Sequence, residues 1–196
     1  MASRRRRAGC NDGSSMKFID IGLEPSLIVA MERHEDDRGF FARAWCEQAF
    51  AAQGLHPRWA QMSQSTTRLR GTIRGLHYQL PPWEEAKLVR CTHGAIHDVI
   101  VDVRPGSPRR GRWTSLALRG DDDRWLYVPP GFAHGFQTLA DESGVIYLMS
   151  QPHHPEAERG LRHDDPHLAI AWPLPVSAIS PKDAAWPDFD PAVAAR

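Results

Sequence analysis

The chain has 196 residues, 41% of them hydrophobic, enough for one domain with a sizeable core and too few for two comfortable ones. Lys plus Arg and Asp plus Glu both number 24, so no global field marks a nucleic-acid or membrane-surface protein, and any charged ligand must be held by local groups. Cys10, Cys46 and Cys91 lie far apart and form no C-x-x-C, which argues against a disulfide framework or a structural zinc site and fits a reducing cytoplasm.

The arginine run at 4–7 is followed by no apolar segment, so it opens neither a signal peptide nor a lipoprotein leader, and no later stretch approaches a membrane span. Residues 1–15 read as a disordered extension, with Met16 a second candidate start, and residues 16–196 as a single domain. From there short apolar runs alternate with turn residues, giving candidate strands at 17–20, 27–31, 40–45, 58–63, 72–79, 87–92, 95–103, 114–118, 125–128, 135–139 and 145–150. The Ala-rich stretch 47–53, stopped by Gly54, reads as a short helix. So many short strands at close spacing point to an antiparallel jelly-roll barrel. After Gln151 prolines multiply, and the chain reads as a segment wrapped over the barrel with short helices.

Two runs carry chemistry. Gly71-Thr72-Ile73-Arg74-Gly75-Leu76-His77-Tyr78-Gln79-Leu80 puts a cation, an imidazole, a phenol and an amide into one strand, with His77 and Gln79 on the same face. Alone, such a histidine is either a hydrogen-bonded core residue or a catalyst. The second run, Tyr127-Val128-Pro129-Pro130-Gly131-Phe132-Ala133-His134-Gly135-Phe136, contains P-x-G-x-x-H, a turn that delivers His134 to a barrel interior and resembles the second cupin motif. Metal cupins add an H-x-H and a glutamate, because an ion needs three or four convergent ligands. Here the first motif offers His77 and then Gln79, which favours a metal-free cupin; Glu84 and Glu85 keep a metal-dependent oxygenase or isomerase open as the alternative.

Taken together the motifs resemble the dTDP-4-dehydrorhamnose 3,5-epimerase family over residues 16–187. The matching phrases are Asp37-Arg38-Gly39-Phe40-Phe41, Arg74-Gly75-Leu76-His77-Tyr78-Gln79, Lys87-Leu88-Val89-Arg90-Cys91, Asp98-Val99-Ile100-Val101-Asp102-Val103-Arg104, the Pro129 to Phe136 run, Ile170-Ala171-Trp172-Pro173 and Ser180-Pro181-Lys182-Asp183. The resemblance implies a cofactor-free homodimer that inverts C3 and C5 of a nucleotide-activated 4-keto-6-deoxyhexose, with 3-only or 5-only epimerisation on a dTDP-, CDP- or GDP-sugar as the alternative. His77 matches the base, Asp183 its carboxylate partner, Tyr147 the acid and Lys87 the cation beside the enolate oxygen.

For substrate binding it implies Arg38, Gln61, Arg74, Gln79, His134, Glu158 and Lys182. Arg43 stands where the family often has glutamate, and His153 where a tyrosine commonly stacks on thymine; both fall on the expected nucleotide side. Strict alternation puts Arg74 and His77 on opposite faces although the family uses both in one site. A bulge at Gly75 would reconcile them.

Overall fold

The computed structural model describes residues 6–9 and 15–190. Two antiparallel sheets face each other. The larger runs in the order β1 (Arg6–Gly9), β2 (Ser15–Asp20), β3 (Leu27–Met31), β11 (Arg124–Val128), β8 (Lys87–His93), β13 (Ser143–Met149), β6 (Gln61–Thr67). The smaller runs β10 (Trp113–Arg119), β9 (Ala95–Asp102), β12 (Phe132–Thr138), β7 (Ile73–Gln79), β14 (Glu158–Gly160). A separate hairpin, β4 (Arg33–Asp36) with β5 (Gly39–Ala42), stands outside both. This is the jelly-roll sandwich that the strand spacing predicts.

Alternation explains the layering. Inward positions of the large sheet, including Val89, Cys91, Leu126, Val128 and Val145, meet Ile96, Ile100, Leu118, Phe132 and Phe136 of the small one in a dry central core. The large sheet's outer face is covered by α1 (Glu47–Ala52), whose Phe50 is fully buried against Phe18, Val29 and Leu88. On the small sheet's outer face, Leu76, Val99, Val101 and Ala133 are covered by Leu161, Leu168, Ile170 and Phe189 of the C-terminal wrap. The Trp113 indole N–H of β10 donates to the Leu168 carbonyl, pinning that wrap to the sheet, and Trp172 donates to the His163 carbonyl within it.

Several details depart from the sequence reading. Arg6–Gly9 pairs with β2 instead of belonging to a disordered extension; the rest of that extension, apart from Ser15 at the start of β2, lies outside the described residues. Strand β6 starts at Gln61 because its sequence, Gln-Met-Ser-Gln-Ser-Thr-Thr, is an edge strand with little apolar alternation to mark it. Strand β12 already begins at Phe132, since the Pro129-Pro130-Gly131 turn is completed sooner than the motif suggests. Cys46 is disulfide-bonded, against the expectation from cysteine spacing, and Cys91 is a buried free thiol.

The bulge is real. His134 pairs with His77 and Phe136 with Arg74, so two residues of β7 stand opposite the single Gly135. That extra residue brings Arg74 and His77 to the same inward face. Gly75 adopts φ +101°, and a Cβ there would lie 2.6 Å from the His134 carbonyl oxygen; one on Gly135 would lie 2.7 Å from the Arg74 oxygen. Both strands need glycine for their backbones to come this close. Gly75→Ala should therefore destabilise the fold by about 1–3 kcal/mol, read as a lower urea midpoint with an unchanged slope. An unchanged midpoint would mean that the bulge accommodates a side chain freely.

Candidate active site

At one end of the sandwich the sheets part around a cavity of about 390 Å³. The small sheet contributes Arg74 and His77 from β7 and His134 and Phe136 from β12; the large sheet contributes Lys87 from β8 and Tyr147 and Met149 from β13. Each pair on a strand follows the inward face: positions 134 and 136, and 147 and 149, are two apart. The third wall is Ser180, Lys182 and Asp183, on or beside the short helix α2 (Pro181–Ala184).

Helix α2 exists to place one carboxylate. Pro181 takes its first turn, where no N–H is needed, and the Ser180 hydroxyl accepts the Asp183 N–H at 3.0 Å. The Asp183 Oδ1 then lies 2.6 Å from His77 Nε2, and Oδ2 accepts the Gly75 N–H at 3.3 Å. Burial pushes the Asp183 pKa up, but the hydrogen bond and charge of His77, with the Gly75 and Ser180 bonds, outweigh it and leave it lowered. An ionised carboxylate only accepts, so His77 carries its proton on Nε2 and keeps a lone pair on Nδ1. The ring stays one-third exposed, and the Trp186 indole meets it edge-on at 6.3 Å between centroids.

Lys87 Nζ donates to the His77 carbonyl at 3.1 Å and pairs with Glu85 at 3.0 Å. Tyr147 lies between Ile146 and Leu148 yet turns to the cavity, and among the described residues nothing hydrogen-bonds its hydroxyl. Tyr127 shows the core alternative: buried among Phe50 and Trp125, its oxygen accepts the His56 N–H. A second pair lies deeper, His134 Nε2 at 2.7 Å from Asp98 Oδ1, both side chains nearly inaccessible. The arrangement offers a base on one sheet, its orienting carboxylate on α2, and a phenol and an ammonium on the other sheet.

The sequence profile of the dTDP-4-dehydrorhamnose 3,5-epimerase family matches residues 20–191. The dTDP-4-dehydrorhamnose 3,5-epimerase of Sinorhizobium fredii is 38% identical over 182 residues, 92% of this chain and 93% of that one. The chain belongs to this epimerase family. Among solved structures, that of the Bacillus anthracis dTDP-4-dehydrorhamnose 3,5-epimerase with TDP and PPi bound superposes with a TM-score of 0.85 at 36% identity, covering 89% of this chain and 99% of that one. The Legionella pneumophila epimerase in complex with dTDP-4-keto-L-rhamnose gives 0.81 at 37%, covering 87% and 91%.

Against this family background, the remaining residues singled out in the sequence divide into rim and exterior. Lys182 pairs with Glu158 at 2.6 Å, and Glu158 also meets His153 at 3.1 Å, so the three form a chain at the cavity edge. Burial raises the Glu158 pKa, and its bonds to Lys182 and His153 bring it down on balance. Gln61 flanks the cavity through Met149, opposite which it sits in the sheet. Gln79 is buried and spent on backbone: it donates to the Trp83 and Pro152 carbonyls and accepts the His154 N–H. Arg38, paired with Asp36, is 89% exposed on the β4–β5 hairpin, and Arg43 follows that hairpin. Neither lines the cavity.

Sequence reasoning missed Phe136, Met149 and Ser180. Extending the alternation two residues beyond His134 and Tyr147 would have found the first two, and the Ser-Pro-x-Asp capping pattern the third. A group whose pKa is lowered by folding contributes stability that is complete above its unfolded value, near 3.9 for aspartate, and is lost as pH falls through the lower folded value. The wild-type urea midpoint should thus drop on acidification below about pH 4, more steeply than that of Asp183→Asn. Parallel acid limbs would remove Asp183 from the account.

Proposed function

We propose that this chain epimerises a dTDP-4-keto-6-deoxyhexose at C3 and C5 without a cofactor, taking dTDP-4-dehydro-6-deoxy-D-glucose to dTDP-4-dehydro-L-rhamnose. The observation that carries the reading is that His77 and Tyr147 approach one cavity from opposite sheets. The C–H bonds flanking a 4-keto group are acidic because their electrons delocalise onto the carbonyl oxygen, so inversion needs a base on one face of the ring and an acid on the other.

His77 Nδ1 removes the proton, and Asp183 stabilises the imidazolium that forms. Lys87 stabilises the enolate oxygen, in a cavity where a fixed cation is worth more than in water. Tyr147 returns a proton to the opposite face. Arg74 spends Nε on the Thr67 hydroxyl, which leaves its terminal amino groups for the diphosphate, with Lys182 and His134 beside it. His134 and His77 each commit Nε2 to a carboxylate, and among the described residues no three His, Cys, Asp or Glu side chains converge as a metal site. These features favour acid–base chemistry over the metal-dependent alternative.

A homodimer in the cytoplasm belongs to the proposal. Phe40 and Phe41 are 50% and 64% exposed on a hairpin outside both sheets, a surface that a second copy would cover and that would carry Arg38 towards that copy. Light scattering should give twice the 22.0 kDa chain mass, and Phe40→Ser with Phe41→Ser should shift it towards the monomer; an unshifted dimer would place the interface elsewhere.

The two proton-transfer roles separate in heavy water. His77→Asn should abolish both deuterium uptake and inversion. Tyr147→Phe keeps the ring, so it should still wash deuterium into the sugar while inversion falls by roughly 10²-fold or more. Locating the deuterium at C3, at C5 or at both gives the regiochemistry. Tyr147→Phe inverting at the wild-type rate would leave the acid unassigned.

A further inference from the structure

Two residues before Lys87 stands a carboxylate that the reaction as drawn does not use. The Glu85 side chain is 7% exposed and does not line the cavity, and its Oε1 lies 3.0 Å from Lys87 Nζ. Its Oε2 is buried with no hydrogen-bond partner among the described residues. Burying an ionised carboxylate with one oxygen unsatisfied costs stability, and it persists only where something offsets that cost. A glutamine would fit the same space and still accept from the ammonium, so hydrogen bonding alone does not account for the charge.

The geometry around Nζ does. A lysine ammonium has three donors. One is spent on Glu85 Oε1 and one on the His77 carbonyl, which leaves the third for the cavity that Lys87 lines. During proton abstraction His77 becomes a cation near this ammonium, with Asp183 paired to the ring and Glu85 to Nζ, while Glu158 feels the His77 charge from the cavity edge. Asp183 balances the imidazolium; Glu85 balances the lysine.

We propose that Glu85 is a positioning residue for the epimerisation, which balances the Lys87 ammonium and aims its free donor at the enolate oxygen while His77 carries the abstracted proton. This rests on the functional reading above. Glu85 touches no substrate and acts wholly through Lys87.

Glu85→Gln keeps the shape and removes the charge. It should lower kcat and solvent-deuterium exchange together by about tenfold with KM within twofold, because the enolate is destabilised and substrate binding is not. In a Lys87→Met background the same change should have no further effect on exchange followed by mass spectrometry. Only a neutral amine attacks acetic anhydride, so Lys87 in Glu85→Gln should also be acetylated several-fold faster than in the wild type at one fixed pH, with no substrate present. Unchanged kcat, an equal loss in both backgrounds, or equal acetylation rates would overturn the assignment. The labelling arm decides the Glu85–Lys87 coupling by itself, whereas failure of the wild-type chain to exchange deuterium would instead remove the functional reading.

Discussion

The site hangs on a hydrogen bond between residues 106 apart in the chain, His77 to Asp183. Neither sheet can supply that carboxylate. It arrives on a helix of four residues, too short to be stable by itself, so its position must come from what precedes it. The C-terminal wrap provides this by burying Leu161, Leu168 and Ile170 on the small sheet. Gln137 locks it further, donating to the Leu174 carbonyl and accepting the Leu174 N–H, and Ile73 donates to the Ala178 carbonyl. Each fully buried aliphatic side chain is worth about 1.5–3 kcal/mol, a net hydrogen bond about 1 kcal/mol. Packing therefore holds the helix, and the His77–Asp183 bond is free to orient a base instead of carrying the fold.

The two histidine–carboxylate pairs show how burial divides similar chemistry. His134 is 7% exposed and Asp98 fully buried, whereas the His77 ring is 33% exposed with Asp183 behind it. A ring that must collect a proton from a substrate needs an open side, which His77 has. His134 presents only an edge, suited to holding a polar group in place. The two histidines pair with each other beside one break in register, where Gly75 and Gly135 let β7 and β12 approach closely.

Much of this was legible in the sequence, for identifiable reasons. Strand β3 appears at its read bounds because Leu27–Met31 is a continuous apolar run on a strand buried on both sides. The bulge was foreshadowed by a contradiction: alternation and the family resemblance disagreed about Arg74, and one extra residue is the smallest repair. By contrast β6 is polar apart from Met62, and β14 has three residues, too few for any pattern. Asp183 could not be reached by local reasoning, since nothing in Ser-Pro-Lys-Asp says which strand it will face. Arg38 and Gln79 show a different limit, since neither lines this chain's cavity. A motif says that residue types recur together, but not that each faces the ligand, and Gln79 is consumed in tying two loops.

The division between interior and rim has a consequence for how such an enzyme diverges. His77, Lys87 and Tyr147 sit on inward faces of strands that are paired on both sides, where a one-residue slip would turn every side chain away from the cavity. The proposed proton chemistry is thereby bound to the fold itself. His153, over half exposed, and Arg38, almost wholly so, lie on a loop and a hairpin tip where substitution costs little stability. Arg43 and His153, read in the sequence as departures from the family pattern, both lie outside the cavity lining. Change in what the exposed rim recognises therefore meets little structural resistance, while change at the inward positions would require rebuilding two sheets and the helix that closes them.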